Sequence, residues 1–420
     1  MNELLFLPIF FFLLLYKYKK NTLAIPLIIY YFIGSLLAFA MTKHPLFESS
    51  LNAGIQNPSF GATIFLIVCL YMLFYPVLKQ GGNTNLNLRI NDRWFYRLSA
   101  VFIFISIIYI IIIAPHIFDA LNSLDFIAYK ENVMEEGLNL TNSVTLGWML
   151  TYQVAIRPIL VFLFCLSLAT KKKKMLVLLL GIVAFLPPIL NSLASAHRNI
   201  MVFSAIDCLL CFLILKNHFT KKTKRVFYIV GTSFICLTIF IVVYFALLRF
   251  SYGGNDFFIY TMERYMGEPF VNFNTMLWGE DNYLWGNKSF TVIRKYLGMS
   301  YIDPAEIQEY SYNMQYVPYF FYSVVGNFYM DFGPIGCILL CFLICCIFKQ
   351  LFRKEALKNN ASFFLYTYLY ISVMVKSYYY FIYQGYNFLS LIFLIISAYL
   401  MHKLIFVPNY FKTTKLQQAQ

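Results

Sequence analysis

The chain has 420 residues, 60% of them apolar, 20% aromatic and only 12% charged. A water-soluble domain is near half apolar and a quarter charged, so a fold solvated by water on all sides is excluded and lipid must surround most of the chain. The formal charge of +14 is carried by short Lys/Arg clusters between apolar runs, the pattern of membrane topogenic signals, and nucleic acid is not an expected partner.

Crossing the hydrocarbon core takes about twenty predominantly apolar residues. Runs of that kind are expected at 3–16, 23–41, 60–78, 98–116, 146–169, 175–193, 199–215, 226–248, 333–352, 362–382 and 388–406. The expected fold class is an all-α polytopic membrane protein with about eleven spans, ten to twelve allowing for the short first run and the close last pair. Leu4–Tyr16 is followed by lysines and not by a small-residue cleavage site, so no cleavable leader is expected. The expected organisation is eight spans within 1–248, including a long loop at 117–145, then a large loop at 249–332, then three spans and a tail within 333–420.

Alternate loops hold Lys17, Lys19 and Lys20; Lys79, Arg89, Arg93 and Arg97; Lys171 to Lys174; Lys216, Lys221, Lys222, Lys224 and Arg225; Lys349, Arg353, Lys354 and Lys358; and Lys403, Lys412 and Lys415. These are 23 of the 33 basic residues, opposed only by Asp92 and Glu355. The positive-inside rule puts this set in the cytoplasm, the amino terminus outside and the carboxyl terminus inside. The loops at 117–145 and 249–332 then face outward.

The larger loop carries its own helix signal, Asp303-Pro304-Ala305-Glu306: a capping aspartate, a proline at the first helical position and a glutamate three residues after the cap. Its aromatics (Tyr252, Phe257, Phe258, Tyr260, Tyr265, Trp278, Tyr283, Trp285 and Tyr296) suit a folded loop at the membrane interface. They also suit stacking on sugar rings, although anchoring alone is the simpler reading.

The chain lacks a glycine-rich phosphate loop, His-Glu-x-x-His, Gly-x-Ser-x-Gly and the Asp-x-Asp pair of metal-dependent sugar-nucleotide enzymes. All nine cysteines lie in apolar runs, and Cys208 and Cys211, though spaced as CxxC, read as packing residues. No cofactor and no metal are therefore expected. Interest falls on ionisable residues near or within the spans, where charge is costly.

Arg198, in Ser195-Ala196-His197-Arg198-Asn199, precedes a span that starts outside, so a helix amino terminus and a guanidinium would face the outer leaflet together. It reads equally as a phosphate ligand or as an arginine reaching for lipid headgroups. Arg249 ends the next span at the same face. Arg157, beside Pro158, lies mid-span, and Asp207 and Lys376 lie within others, so a buried Arg157–Asp207 or Lys376–Asp207 pair competes with a substrate or ion pathway. In the large loop Glu263, Arg264, Glu268, Glu280, Asp281, Arg294 and Lys295 mix signs and are expected to be mostly solvated. His197 or one carboxylate, Glu263 among them, would serve as a general base for a sugar hydroxyl.

With this layout the chain resembles the Wzy-type O-antigen and capsular repeat-unit polymerases of bacterial inner membranes. The resemblance rests on Ala194-Ser195-Ala196-His197-Arg198-Asn199 opening a mid-chain span, on Arg249 before the large loop, and on Tyr329-Met330-Asp331-Phe332-Gly333-Pro334-Ile335-Gly336 leading into the next span. In that last motif Asp331 is expected to cap a helix whose first turn holds Pro334. The resemblance implies an enzyme that transfers a growing glycan from undecaprenyl diphosphate to the terminal hydroxyl of a new lipid-linked unit, without nucleotide or metal. Its partners would be the lipid-linked oligosaccharide, membrane lipids and a chain-length regulator protein. Arg198 and Arg249 would stabilise the departing diphosphate, with His197 and Glu263 beside them as catalytic candidates. Arg157, Arg264, Arg294, Asn199 and Asp331 would bind substrate. The large loop has no histidine between 249 and 332, unlike that of related O-antigen ligases. A lipid-linked oligosaccharide flippase, a ligase and a structural or sensory membrane subunit are the competing readings; few charges within spans and one long loop favour the enzyme over the flippase, and an activity assay separates it from the subunit.

Reporter fusions at Lys172, Thr220 and Trp285 test the orientation. Cytoplasm-active signal is expected at the first two and periplasm-active signal at the third; a cytoplasmic Trp285 would invert the topology.

Overall fold

A computed structural model describes residues 3–47, 57–80, 88–122, 144–194, 199–229, 231–233, 236, 254–302, 321–357 and 361–406. The described helices are α1 (Phe6–Lys17), α2 (Ile25–Met41), α3 (Phe60–Leu78), α4 (Asp92–Asn122), α5 (Val144–Ala169), α6 (Lys174–Ala194), α7 (Asn199–Leu215), α8 (Gly254–Asn272), α9 (Thr291–Tyr296), α10 (Ser323–Leu357), α11 (Ser362–Lys376) and α12 (Phe388–Leu404). Among the described residues there is no strand, only an antiparallel bridge between Ile90 and Phe406. Six stretches, 60–78, 92–118, 147–169, 174–192, 200–218 and 323–355, are long and apolar enough to cross a membrane, and 25–41 and 388–404 are shorter apolar helices. The chain is an all-α, multi-pass membrane protein.

Its sides carry the matching signature. Along α10, Ile335, Leu339, Phe342, Leu343 and Ile347 are all more than half exposed, an apolar stripe suited to a lipid environment. Several expected boundaries move. The run at 98–116 is part of a 31-residue helix beginning at Asp92. The run at 333–352 belongs to a helix that starts ten residues earlier, at Ser323. The run at 362–382 ends at Lys376, after which residues 377–384 turn. That stop has a cause: Ser377 and Tyr379 turn their carbonyls to the first amides of α10, which Val324, Tyr322 and Ser323 donate at 3.0–3.1 Å, satisfying donors that a helix start leaves open. Most of 226–248, of the loop at 117–145, and the signal at Asp303–Glu306 lie outside the described residues.

The chain divides into two compact units. The first comprises 1–83, 243–353 and 373–389; the second comprises 84–242, 354–372 and 390–420.

In the first unit α2 packs on α1 and, over a longer contact, on α8. Small residues set the α2–α8 spacing: a Cβ at Gly267 would sit 2.7 Å from the backbone of Ala38, an approach available only without a side chain. Near the same crossing Tyr378 lies against Gly34 and donates its hydroxyl to the carbonyl of Met266 at 2.6 Å. Tyr31 donates to the carbonyl of Met374 at 2.9 Å. The rings of Phe11, Tyr31, Phe74, Phe270 and Tyr378 fill the space between, with centroids 4.9–6.5 Å apart. Aromatic pairs at such spacings add to area burial.

In the second unit α4, α5, α6 and α7 pack side by side around Tyr109, Ile113 and Leu150. One end is closed by an ion pair between Lys172 and Asp92 and by Asn91 donating its backbone N–H to Ile405 at 2.7 Å.

The α2–α8 contact gives a test. Gly267→Ala must push two backbones apart and should cost about 1–3 kcal/mol, the range for overpacking, visible as a lower melting temperature in detergent. Gly147→Ala, whose Cβ would meet nothing within 4 Å, should be neutral or slightly stabilising.

Candidate functional site

The segment between α8 and α10 is where the first unit concentrates buried polar chemistry. Its local sequence explains why it is irregular. Pro269 lies inside α8, and the helix relaxes into a π-turn at Phe273–Leu277. Gly279 and Gly286 then adopt φ of +89° and +86°, conformations glycine reaches without the penalty a Cβ imposes. Among the described residues that follow, up to Ile302, only the six-residue α9 interrupts the turns.

Asp331 holds this segment. It is fully buried, and its two carboxylate oxygens accept the consecutive backbone N–H groups of Lys288 and Ser289 at 2.9 and 2.7 Å. One residue earlier the carbonyl of Met330 accepts the N–H of Leu284 at 2.8 Å. The expectation that Asp331 caps the helix holding Pro334 is therefore corrected. Asp331 lies inside α10, eight residues from its start, and its carboxylate ties down a distant turn. Two residues on, Gly333 breaks the helix with φ +66° and ψ −171°. A Cβ there would lie 2.7 Å from the ring of Tyr283, so glycine both permits the kink and admits that ring.

Behind the tether is an aromatic wall. Phe65, Phe273, Trp278 and Tyr329 lie within 5.3–6.1 Å of one another, and the Tyr329 hydroxyl accepts the N–H of Gly279 at 3.3 Å. In front, Trp285, Tyr296 and Leu297 are 65–69% exposed. Arg294 stands among them, donating to the carbonyls of Trp285 and Ser300, and the Lys295 ammonium lies 5.6 Å over the ring of Tyr301. The structure thus divides the loop aromatics into an internal scaffold and an exposed face that also carries cations.

Lys288, which the sequence did not single out, is buried at this tether. Its ammonium nitrogen lies 3.7 Å from the Met330 sulfur and 6.0 Å from the Tyr322 ring centroid. Burial pushes its pKa down to about 8, while the Asp331 charge pulls the other way. No periodic pattern marks this lysine, since Tyr322, Met330 and Asp331 around it lie 34 to 43 positions away in sequence. Glu268 and Glu280, of the loop charges expected to be mostly solvated, are buried too. Glu268 accepts the side-chain amide of Asn272 at 3.1 Å, and Glu280 accepts that of Asn282 at 3.0 Å.

The other expected site residues separate. Arg264 is half exposed and lies 3.7 Å from Glu268 one turn along α8. Glu263 is half-buried, with one carboxylate oxygen that has no hydrogen-bond partner among the described residues. Asp331 and Arg294 share the turn at 284–289 as their common partner. Arg157 belongs to the second unit, where it is directed to the Tyr109 hydroxyl at 3.3 Å. In the same unit Asp207 accepts the hydroxyl of Ser372 at 2.5 Å. Asn199 is the first residue of α7. His197, Arg198 and Arg249 lie outside the described residues.

Comparison with protein-family models, curated proteins and solved structures returns no match.

A lysine at 288 that titrates near 8 when folded and near 10.5 when unfolded leaves the unfolded chain with more bound protons between those values. Its contribution to stability should therefore rise as pH increases from about 8 to about 10.5, by up to about 3 kcal/mol. Lys288→Met should flatten that part of the melting-temperature profile of the purified protein. In Asp331→Asn the rise should begin at lower pH, because the opposing charge is gone.

Proposed function

We propose that the chain is a repeat-unit polymerase of the Wzy type. It would take a glycan from its undecaprenyl diphosphate carrier and transfer it to the terminal sugar hydroxyl of a new lipid-linked unit, at the outer face of a bacterial inner membrane. On this reading there are eleven spans, the amino terminus is outside, and the segment between α8 and α10 faces outward. The observation that carries the reading is the Asp331 tether, which holds an aromatic and cationic surface (Trp285, Arg294, Lys295, Tyr296) at the start of a long apolar helix. Sugar rings stack on such aromatic faces, and a diphosphate at the headgroup level meets guanidinium and ammonium groups. The motif that forms the tether is also one of the three on which the family resemblance rests.

The chemistry required is modest. The leaving group is a diphosphate, so cations that gain interaction as charge develops lower the barrier, while a base takes the acceptor proton. Arg198 and Arg249 are proposed for the first task by their position in the sequence; His197 and Glu263 are the candidates for the second. Arg294 has hydrogen bonds that fix its fork, which suits binding of glycan or phosphate.

A deletion strain should present single repeat units at its surface while losing all longer polymer. Loss of every surface unit, with lipid-linked units retained inside, would indicate a flippase. In the complemented strain Arg198→Ala and Arg249→Ala should each cost about 3 kcal/mol in the transition state, roughly a hundredfold in rate. Arg→Lys should restore part of that, keeping charge but not the fork. Arg353→Ala serves as a control without effect on polymer length. Wild-type polymer from a well-expressed Arg198→Ala, Arg249→Ala double variant would remove both residues from the active site.

A further inference from the structure

Three thiols meet at membrane depth in the first unit. Cys69 comes from α3, and Cys337 and Cys341 come from successive turns of α10. All three are fully buried, and their sulfur atoms lie within 4.8 Å of one another. We propose that Cys69, Cys337 and Cys341 form a trigonal binding site for a soft monovalent cation, Cu(I).

Geometry comes first. A metal–thiolate bond of about 2.3 Å places the three sulfurs of a planar trigonal centre about 4.0 Å apart. The observed spacing allows that arrangement after side-chain adjustments of under an ångström, with both helices where they are. Residues four apart on a helix share a face, so Cys337 and Cys341 both point towards Cys69 without distortion. Among the described residues this is the only group of three His, Cys, Asp or Glu side chains so placed.

Donor chemistry then selects the ion. Three sulfur ligands with no carboxylate or imidazole in the group exclude hard cations such as Mg(II) and Ca(II) and favour soft ones. Structural zinc takes four ligands, and this group offers three, which suits the lower coordination of Cu(I). Binding exchanges thiol protons for the metal without any change of oxidation state: each thiolate that forms releases one proton, so affinity should increase with pH.

A route to the site is also present. Cys345 continues the face of Cys337 and Cys341 one turn further along α10, and the half-buried Cys346 follows it. Beyond them Lys349 marks the polar end, with its ammonium 5.4 Å over the Tyr75 ring of α3. An ion entering from that end would pass from thiol to thiol. Once seated it would staple α3 to α10, the helix that carries the Asp331 tether.

The full-length protein in detergent, kept anaerobic with ascorbate, is titrated with Cu(I) against a chromophoric bicinchoninate competitor. One equivalent per chain is expected to be withdrawn from the competitor. The Cys69→Ser and Cys337→Ser, Cys341→Ser variants should bind at least tenfold more weakly, whereas Cys165→Ser, Cys208→Ser, Cys211→Ser should bind as wild type. X-ray absorption on the wild-type complex should show a shell of three sulfurs at about 2.3 Å, and bound Cu(I) should protect Cys69, Cys337 and Cys341 from alkylation as read by peptide mass spectrometry. These two measurements need no variant and decide the matter if a variant fails to fold. Uptake below half an equivalent, a shell containing nitrogen or oxygen, or protection of a different set of cysteines would overturn the proposal.

Discussion

A buried carboxylate that accepts two backbone amides organises the most irregular part of this protein. The segment from Trp278 to Ile302 has little regular structure of its own, and a six-residue helix is too short to be stable unaided. Its order comes from outside. Asp331 supplies both oxygens to the N–H groups of Lys288 and Ser289, and Met330 adds its carbonyl to Leu284. Hydrogen bonds to an ionised acceptor are worth about 1.5–3 kcal/mol each, and loss of the carboxylate would leave two buried donors without their acceptor. One turn of α10 thereby does for this segment what a sheet or a disulfide does elsewhere.

The kink at Gly333 is the second half of the same device. A straight helix would carry a side chain at 333 into the space taken by Tyr283. With glycine there, the ring packs at the break and meets Tyr329, whose own ring belongs to the wall formed with Phe65, Phe273 and Trp278. Asp331, Gly333 and Tyr283 are thus mutually dependent: the carboxylate sets where the turn lies, the glycine lets α10 bend beside it, and the tyrosine fills the gap. At the other end of that stretch, the amides of Tyr322, Ser323 and Val324 use the carbonyls of Ser377 and Tyr379, so the start of α10 and the end of α11 are fixed by one set of bonds.

What the sequence could reveal follows from the range of each interaction. Lipid-length apolar runs are a local property, and α3 and α7 fall on their expected residues. Helix ends set by distant partners were not legible. The start of α10 at Ser323 and the end of α11 at Lys376 depend on bonds between residues some fifty positions apart, and no cap or proline marks either. The Tyr329 to Gly336 motif is visible as a pattern, but capping the adjacent helix is the nearest use of its aspartate, and a bond to a turn some forty positions away leaves no local mark. Lys288, Glu268 and Glu280 are buried, and a charged residue in a polar stretch looks the same in sequence whether it is solvated or enclosed. The three-thiol group was hidden for a related reason: Cys337 and Cys341 are spaced for one helix face, but the third sulfur is contributed from 268 positions away.

Electrostatics separates the cationic candidates in a way residue type alone does not. Stabilising charge that develops on a leaving group requires a cation that is both fixed in place and not already neutralised. Arg264 faces the carboxylate of Glu268 on its own helix, so much of its field is cancelled at short range. Arg294 is held by the carbonyls of Trp285 and Ser300, with the Ser300 hydroxyl at 3.5 Å. These partners are neutral: they orient the guanidinium without cancelling its charge. The turn that supplies one of those carbonyls is the turn Asp331 pins, so the position of the cation traces back to the buried carboxylate. Arg157 is likewise directed to a neutral hydroxyl, that of Tyr109, inside the second unit. Of Arg264 and Arg294, Arg294 is the one whose neighbours leave its positive charge uncancelled in a defined orientation, and it stands on the surface where Trp285 and Tyr296 are exposed.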